Sequence, residues 1–233
     1  MKIILVAGME QAGSTLVFNL VQNLYRSYNY NVDSCWITDF HKKDYNDKCD
    51  FLVIKTHGLD RAAIMNAYKI ILPIRDVRDA AISAFNRGMI GKERSIDLII
   101  KRMERNITTL NNWTNSIKQR KISAFEFMYE RYKKNEIAYT EIMLNYLEIK
   151  LDRDKVKEAI ENINKLHLSK DIVKKDDFSY KNLQYKKTLI TQNHNTSGGQ
   201  SKKYETFFSK EENEQIINRE KINKFLKMYG YIY

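Results

Sequence analysis

Cysteine is scarce in this chain, with only Cys35 and Cys49 in 233 residues. Two thiols are too few for a disulfide framework and lack the paired spacing of a thiolate metal site, so reduced thiols in a cytoplasmic protein are expected. Histidine is nearly as rare: His41, His57, His167 and His194 are the full set. No stretch approaches the roughly 18 apolar residues of a membrane helix. The apolar opening, Ile3 to Ala7, is too short for a signal-peptide core, and Glu10 and Gln11 follow before any cleavage pattern. Acidic residues are in deficit, 29 against 40 Lys+Arg, for a net charge of +11. That excess suits an anionic partner, although Lys- and Asn-rich composition bias produces the same number. There is no basic stripe interleaved with aromatics and no nucleic-acid motif, so neither nucleic acid nor membrane is expected as a partner.

What is present fits a folded domain. The apolar fraction of 43 % is ordinary, and residues 1–233 are expected to form one domain. Short apolar runs alternate with helical patterns. Ile3–Ala7, Val32–Thr38, Phe51–Ile54 and Tyr68–Ile74, which holds the single proline, Pro73, read as strands. Helices are expected from Leu16 to about Tyr28, from Leu59 to Ala67 and from about Asp76 to Asn86, with Asp39–Asp50 a loop. Ile96, Ile99, Ile100, Met103, Ile107, Leu110, Trp113 and Ile117 mark one buried face of a long helix. A further strand over Ile122–Phe127 and a helix over Ile137–Leu147 follow. Lys174–Lys203 reads as loop, and Lys210–Met228 as one last helix, capped by Ser209 with Glu212. The alternation predicts an α/β fold, a central parallel sheet with helices on both faces.

Ligands of such sheets bind beyond the carboxyl ends of the strands, and the chemistry-bearing residues cluster there. The turn Gly8-Met9-Glu10-Gln11-Ala12-Gly13-Ser14-Thr15 joins the first strand to a helix, where backbone N–H groups and the helix dipole favour an anion. Its glycine spacing is that of a phosphate loop, but Ser14 stands where a nucleotide triphosphatase carries lysine. Lys55-Thr56-His57 follows the third strand, and of the four histidines only His57 lies where the fold places an active site, as a general base. Arg75 ends the fourth strand, with Ser83 eight residues on. A guanidinium fork and a hydroxyl two helical turns apart can converge on one phosphate; a helix-start salt bridge of Arg78 with Asp76 or Asp79 is the alternative. His194 to Tyr204, with Gly198, Gly199, Lys202 and Lys203, is a glycine-bearing loop able to close over an anion or simply to stand in solvent.

Together these residues resemble the sulfotransferases that use 3′-phosphoadenosine 5′-phosphosulfate (PAPS) and release 3′,5′-adenosine bisphosphate (PAP). Ala12-Gly13-Ser14-Thr15 matches the end of that family's 5′-phosphosulfate loop, Arg75 and Ser83 its 3′-phosphate pair, and Lys55-Thr56-His57 the motif that carries its catalytic histidine. Phe127-Met128-Tyr129-Glu130 resembles the motif whose tyrosine lies near adenine, here Tyr129. His167-Leu168-Ser169 is similar to an adenosine-side motif, which brings in Ser169. Gly198 to Tyr204, then Phe207, approximate the segment covering the 3′-phosphate. The resemblance implies a P-loop-like sulfotransferase fold, no metal, and sulfuryl transfer to a hydroxyl or amine, with His57 and Lys55 catalytic.

The departures are specific. Gln11 and Ala12 stand where the family has Lys or Arg and Ser, so Lys55, Ser14, Thr15 and the helix N-terminus are expected to carry more of the leaving-group charge. The late tryptophan is absent, with Tyr204 the nearest aromatic. A compact chain favours a small-molecule acceptor, its pocket built from Arg87–Ile100 and the region of Phe178–Tyr185. Trp36, Tyr28, Tyr30 and Phe40 are assigned first to core packing. The rival readings are a phosphoryl-transfer enzyme such as a small-molecule kinase, a non-catalytic nucleic-acid binder, and a catalytically weakened PAPS/PAP binder.

Overall fold

The strands β1 (Lys2–Val6), β2 (Val32–Trp36), β3 (Phe51–Lys55), β4 (Ala67–Ile74) and β5 (Ala124–Met128) form one sheet in the order β2-β3-β1-β4-β5. All four pairings are parallel, with Val6 opposite Lys55, Val6 also opposite Ile71, and Ile74 opposite Met128. The computed structural model describes residues 1–91, 93–168, 187–190 and 200–232, with 167 and 168 through their backbone. Ser169, Gly198, Gly199, His194 and the Phe178–Tyr185 segment lie outside the described residues.

Helices cover both faces, so the central strands are apolar on both sides rather than alternating. Ile3 and Leu5 of β1 face the core shared with Leu52, Leu72, Val77, Ile99, Met103 and Trp113. Ile4 and Val6 face the opposite core, with Val17, Phe18, Val21, Val53, Phe127, Leu144 and Val156. The first core lies under α4 (Val77–Asn86) and α5 (Ile96–Gln119), the second under α1 (Ser14–Ser27), α7 (Glu136–Leu147) and α8 (Arg153–Leu168). Pro73 is tolerated because the Ile71 carbonyl points toward β1, where it accepts from Ala7 N–H. Pro73, two residues on, points its missing donor the same way, beyond the point where β1 has ended.

The sequence pattern and the structure differ in three places. The second strand stops at Trp36, and Ile37–His41 turns into a short helix, α2, inside what reads as strand end and loop. α3 (Arg61–Asn66) and α6 (Tyr129–Lys134) are also short. α8 occupies a stretch to which the pattern assigns no element. The expected terminal helix is divided: α9 (Tyr204–Phe207) precedes α10 (Lys210–Ile217) and α11 (Glu220–Met228). Asn218 and Arg219 break the pair, and the α11 N-cap is Arg219 in extended conformation. The Ser209–Glu212 capping box is present at the start of α10. Among the described residues no helix is long and apolar enough to cross a membrane.

Candidate active site

Four strands of the parallel sheet deliver their next residues to one crevice at the carboxyl edge. After β1 comes the loop 7–13, after β3 Thr56 and His57, after β4 Arg75, and after β5 Tyr129. The strand order reverses beside β1, the place where open α/β sheets bind ligands.

The loop has two left-handed residues at its centre, Gln11 (φ 60°) and Gly13 (φ 85°). Gly13 is required twice over. Its φ disfavours a side chain, and a Cβ there would sit 2.6 Å from Cδ2 of Tyr129. The Tyr129 ring therefore closes directly on the loop backbone. Gly13 is also the N-cap of α1 and supplies no side-chain cap, so the first turn of α1 presents N–H groups to the crevice. Ala12 is fully buried in the core and contributes backbone only. Ser14 and Thr15 are buried at the start of α1.

Lys55 reaches across from β3, and its Nζ donates to Thr15 Oγ1 at 2.5 Å. The ammonium is buried, and among the described residues it forms no ion pair. Burial and then the charge of Arg87 pull its pKa down to about 7. Two residues on, His57 Nδ1 lies 3.1 Å from the Gly8 carbonyl. A carbonyl only accepts, so Nδ1 carries the proton and Nε2 keeps its lone pair. Burial, then Lys55, lower the imidazole pKa to about 4, which keeps it neutral near pH 7. The His57 backbone carbonyl accepts from Trp113 Nε1 at 3.3 Å, and the Trp36 ring stands edge-on 5.5 Å away. Trp36 also lies 5.6 Å from Lys55 Nζ, so of the four aromatics first assigned to packing, this one borders the site.

Arg75 lies across the crevice, 5 % exposed. Its Nη1 is 3.5 Å from Ser83 Oγ, its Nη2 donates to the Gln200 carbonyl at 2.7 Å, and its guanidinium lies 4.5 Å from the Tyr129 ring centre. Asp79 is 3.7 Å and Glu130 3.9 Å away. Arg75 Nε is buried without a hydrogen-bond partner, with Glu130 Oε1 3.9 Å from it. Both readings of this stretch hold together: Arg78 forms its own salt bridge with Asp76 at 2.6 Å, and Arg75 and Ser83 still converge. The Arg78 guanidinium stacks on Tyr204 at 3.5 Å. The tail is tied down by Asp79, which accepts from the backbone N–H of Lys202 at 2.7 Å and of Tyr204 at 3.3 Å. Lys202 thus enters through its backbone, while its Nζ lies 3.5 Å from Glu205. Lys203 is half-buried, its pKa lowered by burial and then by Arg75.

Three contributors are invisible to motif matching. Arg102 pairs with Glu10 of the loop, with Arg105 3.8 Å from the same carboxylate. Asn106 Nδ2 donates to the Glu10 carbonyl at 3.1 Å. Arg87, the C-cap of α4, donates from Nη1 to Gln11 Oε1 at 3.1 Å. Arg102 and Asn106 lie on α5, more than 90 residues from the loop in sequence, so no local spacing announces them.

A glycine-bearing strand–loop–helix, a lysine and histidine from the neighbouring strand, and an arginine–serine pair are gathered at this one crevice. A family model for the sulfotransferase domain matches residues 2–225, and the chain belongs to that family. Among solved structures it is similar to the mouse sulfotransferase SULT7A1 complexed with PAP, at 14 % identity and a TM-score of 0.68, covering 99 % of this chain and 88 % of that one. It is also similar to retinol dehydratase in complex with androsterone and the inactive cofactor PAP, at 13 % identity and a TM-score of 0.64, covering 97 % and 82 %. Retinol dehydratase with retinol and PAP matches at 13 % identity and a TM-score of 0.62. At these identities the structures establish the fold. No curated protein sequence matches the chain.

Proposed function

We propose that residues 1–233 act as one sulfotransferase domain that moves a sulfuryl group from PAPS to a hydroxyl or amine of a small-molecule acceptor. The observation that carries this reading is the neutral His57, its Nε2 lone pair free by tautomer, held two residues from a buried ammonium at an anion-binding helix start. The residues also fit a donor with two anionic ends. Arg75, Ser83 and the tail held by Asp79 suit a 3′-phosphate. The loop 8–15 and Lys55 suit the 5′-phosphosulfate, and Tyr129 lies between the two.

The donor supplies the sulfur electrophile. His57 Nε2 accepts the acceptor proton as the new S–O or S–N bond forms, and the electron pair of the broken S–O bond passes to the phosphate oxygen that leaves with PAP. Lys55, Thr15 and the first N–H groups of α1 would hold that end of the donor and stabilise the charge on the leaving oxygen. The buried surroundings strengthen each of these interactions and exclude water. Trp36, beside His57, borders the acceptor.

The test is His57→Ala with labelled PAPS and a panel of small phenols, alcohols and amines. Turnover of the accepted compound should fall by about 10² to 10⁴, the usual contribution of a positioned base, while PAP binds as before. Undiminished turnover would remove His57 from the reaction.

A further inference from the structure

The loop 8–15 has an electrostatic deficit. Its eight residues, GMEQAGST, contain one carboxylate and no cation, although its geometry is that of an anion cradle. The surrounding helices answer this from both sides. On one side Arg102 pairs with Glu10 and offsets the loop's only negative charge. On the other, Arg87 comes in from the end of α4, half-buried, and meets the loop at the Gln11 carboxamide. Gln11 holds the left-handed conformation that side chains seldom adopt. In that conformation its Oε1 accepts from Arg87 and its Nε2 is 3.3 Å from Met89 Sδ, so the amide is fixed at both ends. A carboxamide is neutral. It orients a guanidinium without cancelling its charge, as a carboxylate would. The Arg87 charge is felt at Lys55, whose ammonium it disfavours. Two cations, one from β3 and one from α4, thus address the same loop.

We propose that Arg87, oriented by Gln11, is the guanidinium that binds the anion at the 5′ end of the donor, supplying from α4 the cation that the loop itself lacks. Arg87 is then a binding residue and Gln11 its positioning residue. The glutamine in the loop is a second half of this device and not a lost function. The inference rests on the sulfotransferase reading above.

The experiment compares two nucleotides by calorimetric titration: PAP, which has both phosphates, and adenosine 3′-monophosphate, which lacks the 5′ anion. In Arg87→Gln, PAP should bind about 10- to 100-fold more weakly, the usual range for losing a charge-assisted hydrogen bond at an anion. Adenosine 3′-monophosphate should be unchanged within about twofold, because its phosphate belongs to Arg75 and Ser83. Arg87→Lys should recover part of the loss, since charge returns without the fork. The double variant Gln11→Arg/Arg87→Gln, which moves the cation into the loop, should recover more. Unchanged PAP affinity in Arg87→Gln would overturn the inference, and so would an equal loss for both nucleotides. Failure of the wild-type chain to bind PAP at all would overturn the sulfotransferase reading together with it.

Discussion

The two sides of the crevice hold their cations by opposite means. On the arginine side each positive charge has carboxylates near it: Arg78 is bound by Asp76, and Arg75 stands between Asp79 and Glu130. Burial pushes the Asp79 and Glu130 carboxyls up, against the pull of the arginine beside them. Tyr231, near the end of the chain, donates to Glu130 Oε2 at 2.7 Å and completes the network. On the loop side Lys55 is buried against a hydroxyl, and His57 is kept neutral beside it. The arginine side is balanced by carboxylates of the protein itself. Among the described residues, Lys55 on the loop side has a hydroxyl beside it and no carboxylate. On the proposed function the arginine side is a recognition half and the loop side a reacting half, since catalysis gains from charge that is poised where negative charge develops.

The largest expected effect breaks the satisfied side. Arg78→Met leaves Asp76 buried without its cation and removes the stack on Tyr204. Removing one partner of such a buried pair costs about 3–5 kcal/mol, which in a chain of this size lowers Tm by roughly 6–20 °C. Thermal unfolding measures it. A loss below about 1 kcal/mol would mean that the pair is structural decoration, and the contrast between the halves would fail.

The next substitution should do the reverse on the other side. Lys55→Met replaces a buried ammonium, without an ion pair among the described residues, by an apolar chain of similar length, and the protein should become more stable without ligand, Tm rising by at least about 2 °C. Turnover should fall by about 10² to 10³, the range for removing one preorganised charge stabiliser. Stability and activity moving in opposite directions is the signature of a strained functional group. A fall in both would place Lys55 with the structural residues.

Much of this contrast was legible in the amino-acid sequence, and the missing part has a physical reason. The parallel sheet follows from short β-branched runs alternating with helical patterns, because strands covered on both faces leave no polar alternation to confuse with anything else. Lys55, His57 and Arg75 lie within two residues of a strand end and Ser83 on the helix that follows β4, so local order fixes their place. The short α2 was not findable, since Ile37 and Thr38 favour strand and only the turn at Trp36 redirects them. The break at Asn218 and Arg219 lacks the Gly or Pro that would announce it. Arg87, Arg102 and Asn106 act on the loop across 76 to 96 residues of chain, and only tertiary packing brings them there. Gln11 was legible as a departure, but its meaning depended on a partner that no spacing rule points to.

The smallest effect is the most discriminating, because it makes the poised charge itself titrate. Lys55 is a cation below about 7 and His57 a base above about 4. The profile of kcat/KM reports the free enzyme, so it should form a plateau between these values and fall toward both sides, by about fivefold from pH 7 to pH 8 and about tenfold per unit beyond that. An anionic donor in the site favours the ammonium, which moves the alkaline limb of kcat to higher pH than that of kcat/KM. Stability runs the other way. The folded-state pKa of Lys55 lies below the ordinary lysine value of 10.5, so between about 7 and 10.5 the unfolded chain binds more protons than the folded one, and stability from this group rises with pH. The Tm advantage of Lys55→Met over the wild type should therefore shrink steadily from pH 7 to pH 10, over the same interval in which wild-type kcat/KM declines. A constant Tm difference across that interval would show that Lys55 keeps its proton when buried, and the loop side would then be no less satisfied than the arginine side.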